Sequence, residues 1–90
     1  MVRYYIIFDG RVQGVGFRFF SSYIARKYTL SGWVRNMDNG MVDMEIQGDA
    51  TNIDNFIVEV KKGNIFIRID DISIRKIRPI EGEHDFETKY

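Results

Sequence analysis

The order in which strand-like and helix-like patterns follow one another constrains the fold of this chain most. Apolar residues at intervals of three and four predict two amphipathic helices, and short apolar or alternating runs predict five strands. The predicted strands are 2–10, 32–38, 41–47, 70–78 and 85–90, and the predicted helices are 18–28 and 51–62. This order, βαββαβ plus a short C-terminal strand, predicts an α+β fold with two helices on one face of an antiparallel sheet.

A tight hairpin completes the predicted topology. Asn39-Gly40 separates two strand patterns, and both residues tolerate the positive φ angles of a two-residue turn. In the resulting ferredoxin-like α/β sandwich, strand 41–47 lies between strands 2–10 and 32–38. Strands 2–10 and 32–38 then run parallel, one strand apart, and their C-terminal ends lie at the same edge of the sheet. The 90 residues fit a single domain, residues 1–90.

Two further segments carry weaker signals. In the predicted strand 41–47, Val42, Met44 and Ile46 alternate with polar residues, so we expect one face of the sheet to be in contact with solvent. Residues 64–69 fit neither a helix nor a clear strand, and we expect an extended connection. Asp49 and Gly63 are candidate caps of the second helix.

The charge balance and the absence of cysteine exclude several functional classes. Thirteen basic and thirteen acidic residues cancel, which disfavours a nucleic acid or an acidic membrane as partner. With no cysteine, a disulfide framework, a thiolate nucleophile and a cysteine metal site are excluded. The first residues lack the pattern of a signal peptide, so we expect a soluble, cytoplasmic protein. We also expect a monomer.

A glycine-rich stretch, Gly10-Arg11-Val12-Gln13-Gly14-Val15-Gly16-Phe17-Arg18, connects the first strand to the first helix. Glycines allow left-handed dihedrals, so such a turn can direct several backbone N–H groups at one point. The N-terminus of the following helix adds partial positive charge, and Arg18 adds a permanent cation. This combination predicts a site for a small anion and favours a phosphoryl group.

The types of residue that are missing narrow the chemistry of this anion site. The loop lacks the Gly-Lys-Ser/Thr ending of a Walker A motif, and His84 is the only histidine. An anion clamp and a side-chain amide suffice for a carboxyl–phosphoryl anhydride, because its carboxylate leaving group needs little help from an acid. In that mechanism Arg18 and the turn hold the phosphoryl oxygens and Asn36 holds the attacking water. No metal or cofactor is required.

The glycine-rich stretch, together with Gly32-Trp33-Val34-Arg35-Asn36 and the Asn-Gly hairpin, resembles the acylphosphatase family over essentially the whole chain. The resemblance implies hydrolysis of acyl phosphates to a carboxylate and inorganic phosphate, which is both product and competitive inhibitor. It implies a substrate-binding arginine at Arg18 and a water-orienting asparagine at Asn36. The implied phosphate loop is formed by the backbone N–H groups of Val12, Gln13, Gly14, Val15, Gly16 and Phe17.

The chain departs from the pattern of that family at two places. Asn39 stands where the family usually has Asp, and Asn64 follows Gly63 where the family often has Pro.

Two other functions stay open at this point. One is a non-catalytic phosphate-binding or regulatory module on the same fold. The other is a ferredoxin-like RNA-binding domain, for which Tyr5 is suggestive, although aliphatic and thioether side chains occupy the strand that would need aromatic ones.

Overall fold

The computed structural model of the protein describes residues 1–90 and consists of a five-stranded sheet with two helices packed on one face. The helices and strands are β1 (Val2–Arg11), α1 (Phe17–Lys27), β2 (Ser31–Asn36), β3 (Val42–Gly48), α2 (Ala50–Lys62), β4 (Arg68–Ile77) and β5 (Phe86–Lys89). The strand order is β4-β1-β3-β2-β5, which confirms the predicted ferredoxin-like topology with β3 between β1 and β2. Neither helix combines the length and the apolar character that crossing a membrane would require.

The sheet is mixed, because the short C-terminal strand adds one parallel pair to the predicted antiparallel sheet. β5 pairs in parallel with β2, with Gly32 opposite Phe86, whereas the other three strand pairs are antiparallel. The reason lies in residues 78–85, which take the chain from one edge of the sheet to the other. Gln47 binds this segment, because its side chain donates to the Ile80 carbonyl and accepts from the Ile80 N–H, each at 2.7 Å.

The core lies between the sheet and the helices, where the alternating apolar side chains of β3 meet the apolar face of α2. Val42, Met44 and Ile46 are all completely buried, as the alternation predicts. Phe56 of α2 is also completely buried, and fully burying a side chain of this kind contributes about 1.5–3 kcal/mol. Asp49 caps α2, because its carboxylate accepts from the Thr51 N–H at 2.9 Å.

The opposite face of the sheet is polar, but it is less exposed than the alternation predicts. Asp43 and Gln47 are buried there, as is Arg3. The Arg3 guanidinium donates from Nε to Glu45 and from Nη1 to Glu83, each at 2.7 Å. Burial alone would lower the pKa of Arg3, but the hydrogen bonds to both carboxylates raise it above its ordinary value. Hydrogen-bonded pairs of opposite charge therefore cover part of this face and shield it from solvent.

The segment after α2 is a tight turn followed by the start of β4, so the expected extended connection over 64–69 is correct only in part. The Asn64 side-chain oxygen accepts from the backbone N–H groups of Phe66 at 2.8 Å and Ile67 at 2.9 Å. Such a turn, stabilised by its own asparagine, is typical of positions where the chain must reverse within a few residues. Ile65 and Phe66 consequently lie exposed at its tip.

Candidate active site

A cavity of about 430 Å³ lies at the sheet edge where β1 and β2 both end. Residues from the loop after β1, from α1, from the end of β2 and from the C-terminal strand contribute to it. They are Val12, Gly14, Gly16, Phe17, Arg18, Phe19, Ser22, Arg26, Asn36, Thr88 and Tyr90. We call this the first cavity. It contains two arginines and no acidic side chain, so its potential favours an anion.

The glycines of the loop at residues 12–16 are required by its backbone angles. Gly14 has φ 72° and Gly16 has φ 80°, both in the left-handed region that side chains disfavour. A Cβ atom built on either residue would meet no heavy atom within 4 Å. Conformation rather than lack of space therefore accounts for glycine at both positions.

The amide groups of this loop are left without partners inside the protein. None of the backbone hydrogen bonds outside the helices and strands is donated by residues 12–16. Gly16 is the N-cap of α1 and offers no side-chain cap, and the Phe20 N–H donates to the Gly16 carbonyl at 2.9 Å as α1 begins. A helix N-terminus with free N–H groups is a favourable place for an anion.

The side chain of Gln13 ties this loop to the β2–β3 hairpin. Its Nε2 donates to the backbone carbonyls of Met37 at 2.7 Å and Met41 at 2.8 Å. Asn36 is the last residue of β2 and immediately precedes the turn of this hairpin. Gln13 therefore fixes the position of the loop relative to Asn36, a contact that its predicted role as a backbone donor did not include.

Arg18 lies in the first turn of α1, half-buried, and takes part in no ion pair. Its Nη1 donates to the Lys89 carbonyl at 3.2 Å, and its guanidinium lies 4.8 Å from the centre of the Tyr90 ring. These two contacts hold the side chain toward the end of the chain. The remaining guanidinium N–H groups have no protein acceptor, and a cation near a helix N-terminus is disfavoured by the helix dipole.

Asn36 is the last residue of β2, where it pairs with Val42 of β3. It is half-buried, and its side-chain amide makes no hydrogen bond within the protein. The amide can therefore donate to one group in the first cavity and accept from another.

Four of the six predicted loop residues line the first cavity: Val12, Gly14, Gly16 and Phe17. The other two, Gln13 and Val15, do not. Gln13 is turned to the hairpin, and Val15 lines a neighbouring cavity. The two predicted side chains, Arg18 and Asn36, are both brought to the first cavity.

Several residues that line the first cavity were not predicted from the sequence. Ser22 and Arg26 follow Arg18 at intervals of four, so they share one face of α1, and this spacing was the signal that could have identified them. The Arg26 guanidinium donates to the Phe86 carbonyl at 3.1 Å, and Ser22 lies 3.4 Å from the Thr88 hydroxyl. Both contacts depend on β5 lying beside β2, which local patterns do not indicate.

The geometry defines a class of protein. A ferredoxin-like domain presents free loop amides, an unpaired arginine and an unpaired asparagine at one sheet edge, an arrangement that can bind a small oxyanion and orient a second polar molecule beside it. No group of three or more His, Cys, Asp or Glu side chains lies close enough together to hold a metal ion.

Comparison with known proteins identifies the family. The Acylphosphatase family model matches residues 4–88. The acylphosphatase of Clostridium beijerinckii is 46% identical over 90 residues, covering 100% of both chains. The crystal structure of the acylphosphatase from Bacillus subtilis superposes with a TM-score of 0.94 at 44% identity, again over 100% of both chains. A crystal structure of T. kodakarensis HypF matches 100% of this chain with 12% of its own length, at 33% identity and a TM-score of 0.88. The chain therefore belongs to the acylphosphatase family and is a hydrolase.

Proposed function

We propose that the protein hydrolyses the carboxyl–phosphate bond of acyl phosphates. A water oxygen attacks phosphorus as the bond between phosphorus and the acyl oxygen breaks. The carboxylate departs with the bonding electrons, and inorganic phosphate forms with the loss of one proton to solvent. The loop amides and Arg18 bind the phosphoryl oxygens, and Asn36 holds the water in line with the leaving group.

The observation that carries this proposal is the convergence of three unpaired features on the first cavity. The free amides of Val12, Gly14 and Gly16 and the Arg18 guanidinium come from one segment, residues 12–18, whereas the Asn36 amide comes from the end of β2. An anion site alone would need only the first two. The amide, which can both donate and accept, is the additional component that hydrolysis requires and simple phosphate binding does not.

The proposal includes a reaction without a metal or cofactor, since a carboxylate is already a good leaving group and the cavity lining offers no acidic, cysteine or histidine ligand. Inorganic phosphate should compete with the substrate, because it presents the same oxygens to the loop.

We also propose a cytoplasmic monomer that binds no nucleic acid. On the sheet face opposite the helices, the Tyr5 hydroxyl is engaged by Asp43 at 2.9 Å, and paired charges occupy the surface that base stacking would use.

The experiment that tests this proposal measures hydrolysis of benzoyl phosphate by the purified protein, with and without a chelator and with inorganic phosphate as competitor. We expect turnover that the chelator leaves unchanged and that phosphate inhibits competitively. Arg18→Ala should lower kcat/KM by about 100-fold or more, because the main charged contact to the phosphoryl group is lost.

Arg11→Ala is the matched control, since Arg11 lies at the end of β1, is exposed, and lines no part of the first cavity. Its kcat/KM should stay within about twofold of the wild-type value, as is usual for an exposed side chain outside the site. Full activity of the Arg18 variant would contradict the proposed role of that residue. Phosphate binding without any hydrolysis by the wild-type protein would instead favour the non-catalytic module.

A further inference from the structure

A second cavity, of about 680 Å³, adjoins the first on the side of α1 that faces α2. It is open to solvent and larger than the first cavity. Aromatic residues of α1 form one wall, namely Phe19, Phe20 and Tyr23. Residues from the end of α2 and the following turn form the other wall.

The two cavities meet at the phosphate loop. Gly16 and Phe19 line both, whereas Asn36 lines only the first. In phosphoryl transfer the attacking oxygen and the leaving oxygen lie roughly in line on opposite sides of phosphorus. With the water held at Asn36, the leaving carboxylate departs on the side of phosphorus away from Asn36. The second cavity shares Gly16 and Phe19 with the first and is not lined by Asn36, so it offers space for the acyl group next to the loop.

We propose that the second cavity binds the acyl half of the substrate and selects aromatic acyl groups. This inference rests on the proposed acyl phosphate hydrolysis and specifies its substrate class. The phosphoryl group occupies the first cavity, its anhydride oxygen lies near Gly16, and the aromatic ring of the acyl group packs between Phe19 and Tyr23.

The exposure of two aromatic rings supports this assignment. Phe19 is 79% exposed and Tyr23 is 65% exposed, although both lie on a helix whose other aromatic residues are packed against the core. Exposed aromatic rings gain free energy when a ligand buries their apolar surface. An aromatic ligand adds stacked or edge-to-face contacts to that gain. A ligand that brings its own ring into the cavity would cover both.

The charges of the second cavity limit the acyl group to neutral or anionic ones. Glu59 accepts a hydrogen bond from Lys27 at 2.7 Å and another from the Tyr28 hydroxyl, and these bonds lower the pKa of its carboxyl group. The charge of Glu59 is thus balanced by Lys27, whereas Lys62 takes part in no ion pair. The uncompensated lysine disfavours a cationic acyl group.

The test compares benzoyl phosphate with acetyl phosphate, which carry the same phosphoryl group and differ in the acyl group. Tyr23→Ala is the informative variant, because Tyr23 lines the second cavity and not the first. We expect its kcat/KM for benzoyl phosphate to fall about tenfold while that for acetyl phosphate changes less than about twofold, since only the aromatic substrate uses the ring. The inhibition constant of inorganic phosphate should not change.

Phe66→Ala is the matched control, because Phe66 is also an exposed aromatic residue, 60% exposed, and lines neither cavity. It should leave the ratio of the two kcat/KM values unchanged. An unchanged ratio in the Tyr23 variant, or an equal loss for both substrates, would overturn the acyl subsite and leave the proposed hydrolysis intact. Failure of the wild-type protein to hydrolyse either substrate would overturn the proposed function itself.

Discussion

Two glycine-containing turns lie close together in this protein and use their backbone donors in opposite ways. The hairpin turn after β2 uses several of its own amides within the turn: Met37 N–H donates to the Met41 carbonyl at 2.8 Å, and Gly40 N–H donates to the Met37 carbonyl at 3.3 Å. Asn39 accepts from the Met41 N–H at 3.0 Å. The loop at residues 12–16 donates none of the backbone hydrogen bonds found outside helices and strands.

This difference separates a turn that builds the fold from a turn that can bind a ligand. Both contain glycine at positive φ, 91° at Gly40 and 80° at Gly16, so glycine content alone does not distinguish them. What distinguishes them is whether the donors are used within the protein. Gln13 connects the two turns and is the only loop side chain that donates to the hairpin.

The largest effect on activity should come from Asn36, which lies at the end of β2, three residues before Asn39 of the hairpin turn. Asn36→Ala should lower kcat for acyl phosphate hydrolysis about 100-fold, because the water loses the amide that orients it. The inhibition constant of phosphate and the free energy of unfolding should change little. Steady-state kinetics and chemical denaturation measure both quantities.

Asn39→Ala is the matched comparison, and it should do the reverse. The loss of the hydrogen bond to Met41 should lower the free energy of unfolding by about 0.5–1.5 kcal/mol and leave kcat unchanged. If Asn39→Ala abolished turnover while Asn36→Ala did not, the functional distinction between the two turns would be reversed.

A smaller effect should separate the two glycines. Gly16→Ala and Gly40→Ala each place a side chain at positive φ without a steric clash, so each should cost about 1–2 kcal/mol of stability. Only Gly16→Ala should also lower kcat/KM, by roughly tenfold, because a shift of the loop amides misplaces the phosphoryl group. Equal activities in the two variants, measured well below their unfolding temperatures, would argue against phosphate binding by the loop.

The smallest effect should come from uncoupling the two turns. Gln13→Met keeps the length of the side chain but removes the donor to Met37 and Met41, and it should lower kcat by about fivefold through looser positioning of Asn36. The inhibition constant of phosphate should stay close to the wild-type value, since the loop amides and Arg18 remain. A change in phosphate affinity with an unchanged kcat would assign Gln13 to binding rather than to positioning.

Most of the architecture could be predicted from local patterns. The alternation of Val42, Met44 and Ile46 and the Asn39-Gly40 pair both indicate a hairpin, which the structure confirms. The predicted two-residue turn is wrong, because the strands are joined by residues 37–41 and only Gly40 of the pair has positive φ. The prediction that Arg18 and Asn36 approach one site followed from strand order, and both line the first cavity. Local patterns did not indicate the features that form where two distant segments meet, such as the parallel β2–β5 pair and the buried Asp43.

By itself the sequence determined the order of the helices and strands, the position of both turns and the residues that family resemblance assigns to the site. Only the tertiary structure decided that Gln13 bonds to the hairpin, that Arg26 reaches the Phe86 carbonyl, and that a second cavity opens beside the first. The physical reason is that periodicity records which face of each helix or strand is apolar, a property of neighbouring residues. Which residues pack against each face depends on segments far apart in the chain, and their contacts exist only once the sheet has formed.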